Sequence, residues 1–130
     1  MKTICFILVS VCLAAASFAE EEGRRAGLNG EEIAKLVKDE LRLLDAASDQ
    51  LAIEEKLSAG TAIPLAKLRP FLRPDTRLNL SFSESAGFTD LLGNSYGALA
   101  VDELPRVPAA TFKALQKFAP AAFWKPYSPE

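Results

Sequence analysis

The stretch Glu31–Leu57, EEIAKLVKDELRLLDAASDQLAIEEKL, decides how this chain folds. Ile33, Leu36, Val37, Leu41, Leu44, Ala47, Leu51 and Ala52 recur at spacings of three and four residues. On a helix that spacing gathers them into one apolar stripe, with Lys35, Lys38, Asp39, Arg42, Asp49 and Glu55 mainly outside it. No proline or glycine interrupts the run. Asn29 stands where an N-cap belongs, and Glu31 and Glu32 suit the positive end of the helix dipole. Gly60 supplies a stop just beyond the last apolar residue. At 1.5 Å per residue the helix is roughly 40 Å long, and it is expected to form the spine of the fold.

Downstream the pattern shortens and changes. Pro64–Leu72 reads as a helix of two turns at most, opened by Pro64 and closed by Pro70 and Pro74. Arg77–Ser83 alternates, with Leu78, Leu80 and Phe82 on one side and Asn79, Ser81 and Ser83 on the other, which predicts a half-buried antiparallel strand. Gly93-Asn94 marks a turn, and Tyr96–Val101 offers a second strand. Pro105 and Pro108 keep the next segment extended and outside a sheet. Thr111 opens a last helical segment through Phe118, with Phe112, Leu115 and Phe118 directed inward. The expected fold class is therefore α+β: a long N-terminal helix on a small antiparallel sheet, with short additional helices, in one domain spanning 31–130.

Upstream of the spine lies an address. Lys2 precedes the apolar run Ile4–Ala16, and Ser17-Phe18-Ala19 has the small-x-small form of a secretory cleavage site, which places the cut between Ala19 and Glu20. The alternative is an uncleaved N-terminal anchor. Glu20–Gly30 is polar, with three glycines and the pair Arg24-Arg25, and reads as a flexible leader. Cys5 and Cys12 are the only cysteines. Both leave with the signal, so the exported chain depends on its core without disulfides, in the periplasm or outside the cell.

Composition narrows the chemistry. The chain has 130 residues, a net charge of −2 and no histidine. Near-neutral charge argues against nucleic acid as a partner, since phosphate binding needs a basic excess. Without histidine there is no His-dependent triad and no His-rich metal site. Paired carboxylates are the remaining acid–base option, and Asp45 and Asp49 lie one helical turn apart, a spacing that more often marks a solvated face. Asp90, Asn94 and Asp102 fall in a loop region but lack the twelve-residue calcium-loop pattern, so turn capping is the plainer reading. No catalytic residue, metal ligand or cofactor is assigned. The aromatic tail offers Phe123, Trp124 and Tyr127 either to a partner or to the domain's own core.

Several of these segments resemble the pilin-like proteins of type II secretion systems and type IV pili. Leu41–Glu54 is similar to the helix pattern L-R-x-L-D-A-A-x-x-Q-x-A-x-E, Leu68-Arg69-Pro70-Phe71-Leu72 to the short proline-containing element after it, and Asp90-Leu91-Leu92-Gly93-Asn94-Ser95-Tyr96 to the D-x-x-G-N-x-Y turn of a pseudopilin head. The likeness extends over Glu32 to Tyr127. The chain departs from the family upstream: the prepilin-peptidase site is missing, and a polar leader separates the apolar run from the helix. The resemblance implies an exported, non-enzymatic head domain, monomeric or weakly self-associating, that recognises an envelope or extracellular protein. The alternatives are a small secreted inhibitor or adaptor working through its aromatic tail, and an envelope-anchored subunit if the N-terminal segment is retained.

Overall fold

The computed structural model describes residues 28–129. The expected cleavage site at Ala19 and Glu20, and most of the polar leader, lie outside the described residues. Helix α1 (Gly30–Glu55) starts where Asn29 caps it, the Asn29 side chain accepting from the Glu32 amide at 2.9 Å. It ends earlier than Gly60. Lys56 takes up the left-handed conformation at φ 53°, and the Leu57 amide bonds back to the Ala52 carbonyl at 3.0 Å. These bonds satisfy carbonyls that the last turn leaves open. The apolar stripe is buried as its spacing requires, with Val37, Leu41 and Leu44 fully inaccessible.

The rest of the chain wraps this stripe in short turns. A 3₁₀ helix spans Leu65–Phe71, with Leu68 buried. Pro70 sits inside it, where a missing amide is better tolerated by a single tight turn than by a continuing α-helix. Helix α2 (Arg77–Leu80) and helix α3 (Ala109–Ala114) follow, and a 3₁₀ turn at Ala121–Trp124 closes the chain onto the core. Phe88, Leu78, Leu68 and Trp124 are among its largest buried side chains.

The antiparallel sheet is not there, and the α+β expectation is corrected. Among the described residues no β-strand forms; extended pairing is limited to the isolated bridges Ala62–Ala100, Ser83–Gly87 and Thr89–Ser95. The segment expected as the first strand is the single turn α2. Thr76 caps it by accepting from the Asn79 amide, and the Ser81 amide bonds to the Arg77 carbonyl at 2.9 Å. Alternation fails because Asn79, assigned to the polar side, is buried with a full set of partners. Its Oδ1 accepts from Arg69 Nε at 2.8 Å, and its Nδ2 donates to the carbonyls of Arg69, Leu72 and Arg73. A buried amide so satisfied outweighs a modest strand preference. Leu80, meanwhile, turns outward and is 69% exposed.

The second expected strand keeps only a fragment of a ladder. Ile63 donates to the Leu99 carbonyl and Val101 to the Thr61 carbonyl, both at 2.9 Å, around the Ala62–Ala100 bridge. The last helix starts at Ala109, before Thr111, because Pro108 is preset for a helix start and its carbonyl accepts from the Phe112 amide at 2.9 Å.

Candidate functional site

Two buried acids organise the loops. Glu40 lies on the core side of α1, three residues after Val37 and four before Leu44, and is only 4% exposed. Arg77, at the start of α2, answers it with a two-pronged contact: Nε to Oε2 at 2.8 Å and Nη2 to Oε1 at 2.6 Å. The Tyr96 hydroxyl donates to Oε1 at 2.7 Å, and Arg77 Nη2 also reaches the Thr89 carbonyl at 2.5 Å. One carboxylate thus fastens α1 to α2 and to Tyr96, and Arg77 carries the link on to Thr89. Bidentate, charge-assisted geometry is the strongest form such a contact takes. Burial alone would disfavour the Arg77 cation, but the hydrogen bonds and charge of Glu40 hold its pKa above the usual value. Burial, and then the charge of Glu40, push the Tyr96 phenol far up, so it stays a neutral donor.

Asp90 closes the next turn. Its Oδ1 accepts from the amides of Leu92 at 2.9 Å and Asn94 at 3.0 Å, and its Oδ2 accepts from the Thr111 hydroxyl. Asn94 Nδ2 donates to Thr111 Oγ1 at 2.9 Å, so the turn is bolted to α3 through a fully buried threonine. Burial raises the Asp90 pKa, against the opposing effect of the Thr111 hydroxyl and the turn amides. The Gly93-Asn94 signal falls in this turn, with Gly93 at φ +83°.

The residues weighed from sequence are distributed as follows. Asp90 and Asn94 come together, but the Asp90 oxygens face N–H and O–H donors, and Asp102 is exposed elsewhere, beside Asp49. Among the described residues no three side chains of the metal-ligating types converge. Asp45 is contacted by the Tyr127 hydroxyl at 3.4 Å; its pKa is raised, first by burial and then by the charge of Asp49. The aromatic tail lies on α1. Trp124 is fully buried, Tyr127 nearly so, and Phe123 stacks edge-on against Trp124. Lys38 donates to the Phe123 carbonyl at 2.5 Å and stands 4.8 Å from the centre of its ring.

Sequence reading missed the Glu40–Arg77–Tyr96 contact. Its signal was available: Glu40 is an acid inside the apolar stripe, and a charge at a core position calls for a buried partner. What the fold leaves open is surface. A groove of about 720 Å³ runs between the start of the Leu65–Phe71 turn and the loops at Phe82–Gly87 and Ser95–Ala98. Gly87 keeps its wall tight, since a Cβ there would lie 2.7 Å from Leu65 Cδ1. No helix among the described residues is long and apolar enough to cross a membrane. Comparison of the chain with protein-family models, with curated proteins and with solved structures finds no match.

Proposed function

We propose that this chain is an exported domain that acts by protein–protein recognition and performs no turnover. The observation that carries the reading is how its buried acids are used. Each oxygen of Glu40 and of Asp90 accepts hydrogen bonds from the chain itself; those of Glu40 fix α2 and Tyr96 onto α1, and those of Asp90 fix its turn onto α3. A reacting carboxylate needs an oxygen free for substrate or water. Here the polar interior acts as a frame, and recognition falls to the outer surface, where Ile53 and Leu80 stand exposed. Rigid presentation of apolar side chains suits a docking surface, because little ordering entropy is lost on binding.

The test separates frame from surface. Ile53→Glu and Leu80→Glu should leave the urea midpoint close to that of the parent, and one of them should abolish the chain's association with its partner in chemically crosslinked host cells. A hydrolytic activity that purifies with the chain and disappears in Asp45→Ala would contradict the proposal.

A further inference from the structure

The two ends of α1 differ in charge, and each carries an exposed apolar side chain. At the start of the helix the Phe118 ring lies flush against Gly30, so close that a Cβ on Gly30 would run into it, yet Phe118 remains 49% exposed. Lys113 and Lys117, both exposed, precede Phe118; on this part of α1, Lys35 and the Phe123-bound Lys38 are balanced by Glu31, Glu32 and Asp39, so the excess positive charge comes from Lys113 and Lys117. At the far end, Ile53 is 77% exposed and borders a shallow cavity of about 390 Å³, together with Ala52, Leu57, Val101, Asp49 and Asp102. Glu54 and Glu103 adjoin that cavity in sequence; the cations at this end are Lys56 on the helix cap, Lys67, which pairs with Glu55 at 3.1 Å, and Arg106, which lines a neighbouring pocket with Asp102 and Glu103. From Gly30 to Ile53 the helix runs about 34 Å at 1.5 Å per residue, so one copy cannot bring the two ends together.

We propose that the partner is a second copy of this chain, bound head to tail, with Phe118 seated in the Ile53 cavity and Lys113 and Lys117 facing Asp49 and Asp102. The proposal rests on the recognition reading above and names its partner. Charge complementarity favours this occupant: the exposed Lys113 and Lys117 beside Phe118 and the acids Asp49 and Asp102 beside Ile53 belong to the same molecule, and each set surrounds an apolar centre, as interfaces do. A contact between unlike surfaces leaves one free end on each side, so it propagates instead of closing as a two-fold dimer.

Sedimentation velocity on the chain recovered from its host tests this. The average mass should rise with concentration, and the apparent Kd should weaken at least tenfold between low and high salt, because exposed charges are screened. Phe118→Glu and Ile53→Glu should each be monomeric. An equimolar mixture of the two should form one-to-one dimers, since the first variant keeps its acidic end and the second its basic end. Lys117→Glu and Asp49→Lys, on exposed side chains, repeat the test through charge alone, and the double variant should associate with itself again. A parent chain that stays monomeric overturns the proposal, as does a mixture that fails to restore association. So does binding to phosphatidylglycerol vesicles in place of self-association. A monomeric chain that still crosslinks from Ile53 to a different protein overturns the second copy alone; a chain that crosslinks to no protein removes the recognition reading as well.

Discussion

Glu40 shows how much a single side chain organises here. It sits between Val37 and Leu44 on the buried stripe of α1, and its oxygens accept from Arg77 at the start of α2 and from Tyr96, the residue after the Thr89–Ser95 bridge. Replacing it with alanine leaves Arg77 and Tyr96 facing an apolar wall. Breaking a buried pair costs about 3–5 kcal/mol, and because the Arg77 side chain is 32% exposed the lower end applies. Urea unfolding of Glu40→Ala should therefore show a loss of about 3 kcal/mol. Asp90 makes a prediction in pH. Burial holds its folded pKa above the ordinary aspartate value, so the fold favours its protonated form. Its stabilising contribution is fully present below the unfolded pKa and declines as pH rises through the folded one. Measured by urea titration, the stability of the parent relative to Asp90→Asn should fall over that window and level off above it; a difference that rises with pH would contradict the assignment.

At the scale of elements, α1 and α2 carry opposite lessons. The helix pattern of Glu31–Leu57 was legible because it repeats over seven turns, and a period of 3.6 sustained that long has few alternatives. Only its end moved, because Lys56 adopted a conformation usually left to glycine. Arg77–Ser83 was not legible. Three apolar residues in alternation fit a strand, but they fit one helical turn and its exit equally well, and the deciding interaction is the tertiary one between Asn79 and Arg69. The correction is measurable. A strand would bury Leu78 and Leu80 alike, whereas here they are 1% and 69% exposed. Leu78→Ala should cost about 2–5 kcal/mol and Leu80→Ala within about 0.5 kcal/mol. The aromatic tail belongs at this scale too. Trp124→Ala should cost about 3–5 kcal/mol, a stability loss that a tail serving only as a ligand peptide would not produce.

For the whole molecule, the candidate site was only partly legible. The Asp90–Tyr96 turn announced itself through Gly93-Asn94, whereas the contact it makes with Thr111 joins residues 21 positions apart and has no local signature. The same holds for the charge difference between the two ends of α1, which appears only when Phe118 and the Val101-Asp102 loop are placed at opposite ends of the helix. Export predicts a species beginning at Glu20 in the soluble fraction, read by intact mass. Recognition is tested most directly by a photo-crosslinking amino acid in place of Ile53, activated in the native host. The account predicts a covalent adduct with protein, and a second copy of this chain as its mass increment. A folded, expressed variant that gives no protein adduct would contradict it.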